Sequence, residues 1–331
     1  MKNPSGLLTR IVKCRVAFGI PFLLGSAAVA AGPNLEILPG EIGLFFGNFG
    51  HFLMLGLLFA VAGCLVSAKN CFCLRSGFLL VLLHAMLILR WSIPSYPSPV
   101  HAATNAPEWK IVYANLGWPD MRRLPEFAAY LKAENPDMIG MVEFDPDADT
   151  MLAQVLSSYP FVLRKFREDR FGVALFSRLP FSESRIVAPD ATGLPVIYAR
   201  IGNPRLALWL THPVPPSNTL QRDLRNEAIG ALAASAARET GPVLIVGDLN
   251  TTERSAGYQA LAKEFRDSRM GYGWSPTWIP FQKFLAPLNP FIAIPLDHAF
   301  TSGGVEIVER SVGPNFGSDH LPLKIVIRSG G

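Results

Sequence analysis

Cysteine is scarce in this sequence and is confined to its N-terminal third. The four cysteines are Cys14, Cys64, Cys71 and Cys73, so the C-terminal 225 residues contain none. That absence excludes a disulfide framework and a cysteine-ligated metal from the larger part of the chain. Cys71 and Cys73 form a close pair, but one short loop with two thiols has too few ligands for a zinc site.

Charged residues are also few: they make up 17% of the chain, against 50% hydrophobic residues. Residues 1–106 contain seven basic and two acidic residues, whereas residues 107–331 contain 23 basic and 24 acidic residues. The sequence pI of about 8.9 is therefore a property of the N-terminal third. It gives no support for nucleic-acid binding by the remainder through net charge.

Three long apolar stretches, 11–32, 43–67 and 74–93, account for much of the low charge. Each is about long enough to cross a hydrocarbon core of ~30 Å as a helix. The first stretch also fits a cleaved signal peptide, but two further stretches follow it, which favours an uncleaved anchor. Residues 1–93 are therefore predicted to be a membrane anchor with three transmembrane helices, and the Pro- and Ser-rich residues 94–108 to be a linker.

The distribution of positive charge predicts the orientation of that anchor. Lys2, Arg10, Lys13 and Arg15 flank or enter the first stretch, the loop 33–42 has no Lys or Arg, and the loop 68–73 carries Lys69. The positive-inside rule places the N-terminus and the second loop in the cytoplasm. Three crossings then place residue 94 onward in the periplasm or outside the cell.

Short apolar strands alternate with polar helices from residue 109 onward. Strands are predicted at 110–114, 138–142, 171–176, 206–210, 243–246, 296–301, 305–311 and 321–327, and helices at 121–134 and 220–238. This alternation predicts an α/β (α+β) domain over residues 109–328.

Polar residues stand at the ends of these strands. They are Asn115, Glu143, His212, Asp248, Asn250, Asp297, Asp319 and His320. These eight residues occupy six strand ends. An ordinary Asx turn explains one such end, but not all six, because half-buried carboxylates are costly unless they are paired or bound to a cation. Carboxylates and carboxamides can hold a hard divalent cation, and the imidazoles remain available for proton transfer.

The order of these residues resembles the endonuclease/exonuclease/phosphatase superfamily, which includes pancreatic deoxyribonuclease and sphingomyelinases. The matching pieces are Asn115, Glu143, Gly172-Val173-Ala174, Thr211-His212-Pro213, Gly247-Asp248-Leu249-Asn250, Leu296-Asp297-His298 and Gly317-Ser318-Asp319-His320. With Pro276-Thr277-Trp278 ahead of Leu296, the chain looks most like bacterial membrane-anchored members. The resemblance implies a four-layer α/β/β/α sandwich of two mixed sheets, phosphate-ester hydrolysis and a location in the bacterial plasma membrane.

The resemblance also implies a cofactor, Mg²⁺ or Mn²⁺, and its ligands. Glu143 is expected to be the principal metal ligand, helped by Asn115 and Asp319.

The remaining polar residues are expected to act on the substrate, again by resemblance. Asp248 would orient or deprotonate the attacking water, and Asn250 would hold a phosphate oxygen. His320 would contact the scissile phosphate and be oriented by Asp297, while His212 would serve the leaving group or the phosphate.

Three features remain open at the level of sequence. Alternation along a strand predicts that His298 points away from the site that Asp297 faces. The basic run Arg164, Lys165, Arg167 and Arg170 is either a solvated face or a phosphate-positioning patch. The Trp-, Phe- and Pro-rich residues 274–296 are either a packed loop or a wall that stacks a base or touches lipid.

The function expected from the sequence is a membrane-anchored, divalent-metal-dependent phosphodiesterase of nuclease type acting on a phosphodiester substrate. One alternative is a lipid-headgroup phosphodiesterase or phosphatase, because a membrane tether would hold the site near lipid. Another is a catalytically inactive member used for binding, although the intact set of polar strand ends argues against it. No protein partner is inferred.

Overall fold

The computed structural model describes residues 106–117, 121–202, 206–253, 255–273, 275–279 and 293–329, with a few helical residues at 24, 60–62, 78–83 and 86. The chain divides into two units, Met1–Ile93 and Pro94–Gly331. Apart from those few helical residues, the predicted spans 11–32, 43–67 and 74–93 lie outside the described residues, as does most of the predicted linker. No helix among the residues that the structure describes is long and apolar enough to cross a membrane.

The described part of the C-terminal unit contains twelve strands and four α-helices. The strands are β1 (Glu108–Asn115), β2 (Met138–Val142), β3 (Phe161–Lys165), β4 (Val173–Ser177), β5 (Phe181–Val187), β6 (Val196–Ile201), β7 (Leu206–Thr211), β8 (Val243–Asp248), β9 (Arg266–Asp267), β10 (Asp297–Thr301), β11 (Val305–Val312) and β12 (Leu323–Ser329). The helices are α1 (Leu124–Glu134), α2 (Pro146–Leu156), α3 (Thr219–Ala236) and α4 (Ala256–Ala262), and a short 3-10 helix, Met121–Arg123, precedes α1.

The strands form two six-stranded mixed sheets of similar design. The first has the order β11-β12-β1-β2-β4-β3 and the second the order β5-β6-β7-β8-β10-β9. Each sheet contains one parallel pair, β1 with β2 and β7 with β8, and its other neighbours are antiparallel. A parallel pair needs a crossover connection, and α1 and α3 supply the two crossovers.

Apolar side chains explain why these elements stack in four layers. Along β1, Ile111 and Tyr113 point into a core that both sheets share, while Val112 and Ala114 point outward against α1 and α2. The outer face of the second sheet packs against α3 and α4 in the same way. The predicted α/β fold with two mixed sheets is therefore confirmed, and the layers follow the order helix, sheet, sheet, helix.

Strand direction brings the polar residues to one edge of the sandwich. The carboxyl ends of the parallel strands β1 and β2 lie at the same edge, and the antiparallel strand β12 begins there. In the second sheet Asp248, the last residue of β8, pairs in register with Asp297, the first residue of β10. A hydrogen bond between Asn115 and Asp248 joins the two sheets at this edge.

Candidate active site

Asn115 connects the two sheets at the centre of the site. Its Nδ2 donates to Asp248 Oδ2 at 2.9 Å and to Glu143 Oε1 at 3.3 Å, and its Oδ1 accepts from the backbone N of Gly117 at 2.8 Å. The amide nitrogen therefore faces both carboxylates. In this arrangement Asn115 fixes the orientation of two acidic groups that come from different sheets.

His320 lies between two buried carboxylates. Its Nδ1 is 2.7 Å from Asp297 Oδ2, and its Nε2 is 3.5 Å from Asp248 Oδ2. Burial disfavours the charged imidazole, but Asp297 and Asp248 outweigh that effect and raise the pKa of His320 to about 10. The ring is therefore an imidazolium at neutral pH, and Nε2 is the nitrogen directed toward Asp248.

The same contacts, together with burial, shift the pKa values of the two carboxylates in opposite directions. Burial raises the pKa of Asp248 to about 7, with a further rise from Asp297 and an opposing effect from His320. Burial also acts to raise the pKa of Asp297, but the charge and hydrogen bond of His320 lower it below its ordinary value. Asp297 is thus the fixed anion of this group, and Asp248 is the carboxylate able to take up a proton near neutrality.

Two hydroxyl groups that the sequence analysis assigned no role hold this arrangement in place. Thr277 Oγ1 accepts from the backbone N of Asp297 at 3.0 Å. Ser318 Oγ donates to the carbonyl of Asn115 at 2.8 Å and accepts from the backbone N of His320 at 3.0 Å. Both residues stand inside motifs that the resemblance included, so their position in the sequence was the available signal.

Glu143 and Asn250 adopt an uncommon backbone conformation. Their φ angles are +52° and +48°, in the left-handed region that non-glycine residues seldom occupy. Asn250 is held there because Asp248 Oδ1 accepts from its backbone N at 2.8 Å, and because the buried Arg225 donates to its carbonyl at 2.8 Å. Its own Nδ2 donates to the carbonyl of Pro213 at 3.0 Å. Such strain at site residues is typical of positions that the surrounding structure keeps in a functional geometry.

His212 is the second histidine of the site. Its Nε2 is 3.6 Å from Asp248 Oδ2, and its ring packs against Phe171 with centroids 5.1 Å apart. Burial, and then the charge of His320, lowers the pKa of His212 to about 3. The ring is neutral at physiological pH, and its buried Nδ1 has no hydrogen-bond partner among the residues that the structure describes.

Glu143 and Asp319 form the acidic side of the site. Burial raises the pKa of Glu143, Asn115, His320 and Arg170 oppose the rise, and the nearby Asp319 adds to it. Glu143 Oε2 is buried without a hydrogen-bond partner in the described part of the chain. Trp278 Nε1 donates to Asp319 Oδ2 at 3.1 Å, so this tryptophan holds one of the acidic side chains. Trp274 lies outside the described residues.

Two of the features left open by the sequence are located by the structure. His298 faces away from the site, as predicted: its Nδ1 is 3.1 Å from Asp267 Oδ2 and its Nε2 is 2.9 Å from the carbonyl of Thr251. In the basic run, Arg164 pairs with Asp149 and Arg167 with Asp169 on the exposed surface. Arg170 differs, because its charge acts on Glu143.

Comparison with known families decides the identity at the level of family. The sequence model of the Endonuclease/Exonuclease/phosphatase family matches residues 112–320. The chain belongs to this family. Its members are generally hydrolytic phosphoesterases. The matched range contains all eight polar residues that the sequence analysis selected.

Solved structures of this family share the fold. D. rerio TDP2 complexed with single strand DNA product is 17% identical, with a TM-score of 0.56 over 67% of this chain and 99% of that chain. The endonuclease/exonuclease/phosphatase from Beutenbergia cavernae is 20% identical, with a TM-score of 0.56 over 68% of this chain and 72% of that chain. The endonuclease/exonuclease/phosphatase from Bacteroides vulgatus is 14% identical, with a TM-score of 0.55 over 67% of this chain and 99% of that chain. No curated protein sequence matches the chain.

Proposed function

We propose that this chain is a divalent-metal-dependent phosphodiesterase that hydrolyses nucleic acid by attack of water. The observation that carries the proposal is the Asp297–His320–Asp248 group at one edge of the sandwich. It places an imidazolium 2.7 Å from a fixed anion and 3.5 Å from a carboxylate of raised pKa. A phosphodiester is anionic, so water can attack it readily only when its charge is compensated.

The residues present fit a hard divalent cation at Glu143 and Asp319. Oε2 of Glu143 is buried without a partner in the described chain, and the charge of Asp319 adds to the raised pKa of Glu143, an effect that a cation would relieve. A second acidic group, Asp248, Asp297 and His320, has ligand atoms within 4.8 Å of one another. There, however, the short Nδ1–Oδ2 contact of His320 with Asp297 already occupies the facing atoms. We therefore assign Mg²⁺ or Mn²⁺ to Glu143 and Asp319, where it would neutralise charge on a phosphate oxygen. Asn115, which the resemblance implies as a third ligand, lies beside them with its amide on Glu143.

The chain's own residues supply the proton transfer. Asp248 takes the proton of the attacking water while the water oxygen forms its bond to phosphorus and the bond to the leaving oxygen breaks. The leaving oxygen departs as an alkoxide and takes its proton from a solvent water. Hydrogen bonds from Asn115 Nδ2 and the Asn250 backbone N hold the two oxygens of Asp248 in place for this step. His320 keeps its positive charge beside the reacting phosphate because Asp297 binds its other nitrogen. His212 offers a neutral ring next to Asp248, which suits a hydrogen bond without added charge.

Nucleic acid is the substrate class we assign. The fold is shared with D. rerio TDP2, whose structure contains a single strand DNA product, and that likeness supports a nucleic-acid phosphodiester here. The competing substrate is a lipid headgroup, and the predicted membrane anchor favours it. For that anchor we likewise propose three spans in residues 1–93. The catalytic domain would then lie on the outer side of a bacterial plasma membrane.

A substrate panel tests the proposal. The full-length chain in detergent is incubated with single-stranded DNA, double-stranded DNA, RNA, sphingomyelin, a phosphoinositide and bis-p-nitrophenyl phosphate, each with Mg²⁺, Mn²⁺ or EDTA. We expect hydrolysis of nucleic acid and of the small diester, and its loss in EDTA and in the His320→Ala variant. Faster hydrolysis of lipid than of nucleic acid would move the assignment to the second substrate class. Absence of hydrolysis throughout, with folded protein, would indicate a binding member of the family.

A further inference from the structure

The loop between β3 and β4, which we call the recognition loop (residues 166–172), is fastened beside Glu143. The backbone N of Phe144, the residue after Glu143, donates to the carbonyl of Gly172 at 3.1 Å. A Cβ atom on Gly172 would lie only 2.1 Å from the carbonyl oxygen of Phe144, so no other residue allows this approach. The end of the recognition loop is therefore held at a fixed distance from the predicted metal ligand.

Polar contacts within the recognition loop define its shape. Arg167 donates to both oxygens of Asp169, at 2.8 Å and 2.6 Å. The first of these oxygens, Oδ1, also accepts from the backbone N of Phe171 at 3.0 Å. Because these contacts close the turn, the backbone that carries Arg170 and Phe171 is ordered before a ligand binds, which lowers the entropy cost of binding.

Phe171 forms an aromatic wall at the mouth of the site. Its ring lies against the ring of His212, with centroids 5.1 Å apart and planes inclined at 42°. His212 Nε2 is in turn 3.6 Å from Asp248 Oδ2, so the wall stands one side chain away from the carboxylate assigned to the attacking water. Phe171 remains partly exposed, which leaves part of its ring for a ligand.

Arg170 places positive charge on the same side of the site. It is exposed and directly precedes Phe171 in the recognition loop, so its charge stands beside the aromatic wall. Four acidic groups, Glu143, Asp248, Asp297 and Asp319, would otherwise repel an approaching polyanion. An arginine next to an aromatic ring is the combination by which proteins bind unpaired nucleotides: the ring stacks on a base and the guanidinium contacts a phosphate.

We propose that the recognition loop is the subsite for the nucleotide adjacent to the scissile phosphate in a single-stranded substrate. The base stacks on Phe171, and Arg170 contacts the neighbouring phosphate. This inference rests on the proposed function. A single strand is specified because a stacked base must present a free face, which a duplex interior does not.

The first test compares Phe171→Ala, Phe171→Leu and Phe171→Trp in the full-length chain. Substrates are a short single-stranded oligodeoxynucleotide, the same oligonucleotide with abasic sites beside the scissile bond, and methyl p-nitrophenyl phosphate. Loss of a stacked base weakens binding by about 5- to 100-fold, so we expect KM for the intact oligonucleotide to rise by that factor in Phe171→Ala. Phe171→Leu should show most of the loss although it keeps apolar contact with His212, and Phe171→Trp should show none. For the two substrates without that base, KM should rise much less than it does for the intact oligonucleotide, and any change that all three substrates share reports the lost packing on His212.

The second test separates Arg170 from its neighbours by charge-matched variants. Arg170→Gln and Lys165→Gln each remove one positive charge from the same hairpin, and both positions are exposed. Binding of a labelled oligonucleotide is followed by fluorescence anisotropy in EDTA, without turnover, over a range of salt concentrations. A phosphate contact on a single strand contributes about 0.7 to the slope of log affinity against log salt. Arg170→Gln should lower the slope by about that amount, and Lys165→Gln should leave it unchanged.

The outcomes distinguish this inference from the proposed function. Equal changes for all three substrates in Phe171→Ala, or wild-type KM in Phe171→Leu, would mean that Phe171 only packs, and would overturn the subsite. Equal salt slopes for the two charge variants would show that Arg170 does not contact a phosphate of the bound oligonucleotide. If instead the variants weaken binding to phosphatidylglycerol vesicles and not to the oligonucleotide, the loop serves lipid and the inference is wrong. A wild-type chain that binds the oligonucleotide through Phe171 but hydrolyses nothing would reject the proposed function alone.

Discussion

Glu143 combines three properties at a single residue: a left-handed backbone, a buried carboxylate oxygen without a partner in the described chain, and an acidic neighbour in Asp319. The backbone conformation is kept by the surrounding structure, whereas the unpartnered oxygen and the acidic neighbour are unfavourable unless a cation binds the carboxylate. The chain cannot relax outward at Glu143 because the backbone N of the next residue, Phe144, donates to the carbonyl of Gly172 and fixes the chain there. The site at Glu143 is thus formed before any ligand arrives.

Glu143→Gln should therefore weaken binding of Mn²⁺ and Mg²⁺ by at least about tenfold, since even indirect changes around metal sites have effects of that size. Isothermal titration calorimetry of the purified full-length chain measures the change. Glu264→Gln, which removes a carboxylate from an exposed position, is the matched control and should bind as wild type. Equal dissociation constants for wild type and Glu143→Gln would remove Glu143 from the ligand set.

His320→Ala and Asp248→Asn should each lower kcat by about 10²-fold or more, because each removes a group that transfers a proton or compensates charge. Both residues are buried in a charged group, so circular dichroism of each variant is used to select conditions in which it is folded. Asp223→Asn, at an exposed position of α3, serves as the control and should retain full activity. Near wild-type turnover by either folded site variant would show that the assigned proton transfer is wrong.

The raised pKa of His320 leads to a pH prediction of definite sign. The folded protein holds the imidazole proton up to about pH 10, against 6.5 as the ordinary value, so folding binds a proton in that interval. The stabilisation is complete below pH 6.5 and is lost as the pH rises toward 10. Asp297→Asn removes a main cause of the shift, and the difference in unfolding free energy between it and wild type should therefore shrink between pH 6.5 and 10. Urea unfolding in EDTA at several pH values measures this difference, and a gap that widens with pH would contradict the assignment.

At the scale of single residues, the sequence showed which side chains meet but not how they are oriented. Five of the eight polar residues follow parallel strands, whose carboxyl ends share an edge, and that rule can be applied to a sequence. The other three, Asp297, Asp319 and His320, join them because the antiparallel strands β10 and β12 begin at that edge. The amide orientation of Asn115 and the hydroxyl of Ser318 depend on partners far along the chain: Ser318 Oγ bonds to a carbonyl 203 residues away. No local pattern carries such information.

At the scale of elements, β10 is the strand that organises both faces of the second sheet. Asp297 points to the site and binds His320, while the next residue, His298, points to the opposite face and binds Asp267 and the carbonyl of Thr251. Tyr258 donates to the same oxygen of Asp267 at 2.9 Å. This second group thereby fastens the segment after β8, which carries Asn250, to the strand that carries Asp297.

His298→Ala should consequently lower the unfolding free energy by roughly 3 kcal/mol, because it leaves the fully buried Asp267 without its main partner. The double variant with Asp267→Asn should recover part of that loss, since the buried charge is then gone. Urea unfolding of the four proteins of this cycle gives the coupling. A loss below about 1 kcal/mol, the value of an ordinary neutral hydrogen bond, would mean that His298 does not hold the segment.

Predictability differed among elements for physical reasons. The strand predicted at 138–142 is β2 as observed, because buried strands of parallel pairs are apolar on both faces. Strand β5 was not predicted because it lies at a sheet edge and its middle residues are exposed. Helix α2 was not predicted either, although Asp145 caps it by accepting from Ala148 N at 2.7 Å and Pro146 follows at the first position. Strand β8 was predicted to end before Gly247, but it continues to Asp248. Glycine is needed at this position of the strand because a Cβ atom there would lie 2.0 Å from the carbonyl oxygen of Thr211 on the neighbouring strand β7.

At the scale of the whole molecule, the cysteine-free, nearly neutral catalytic domain contrasts with the apolar and basic N-terminal third. A domain without thiols is suited to an oxidising compartment, where unpaired thiols would be oxidised. The positive residues before the first predicted span and at Lys69 favour the same proposed orientation, in which the positive-inside rule would have those segments in the cytoplasm and residue 94 onward on the other side. Composition and charge distribution thus support the same proposed orientation independently.

Reporter fusions test that orientation. Alkaline phosphatase fused after Gly331 should be active and green fluorescent protein at the same place dark, since the phosphatase needs export and the fluorescent protein does not fold after export. Fusions after Asn70, in the second predicted loop, provide the matched control and should give the reverse pattern. If the Gly331 fusions instead behave like those at Asn70, one of the three predicted spans does not cross the membrane. The phosphodiester substrate would then have to be a cytoplasmic one, and foreign nucleic acid outside the cell would be excluded as the target.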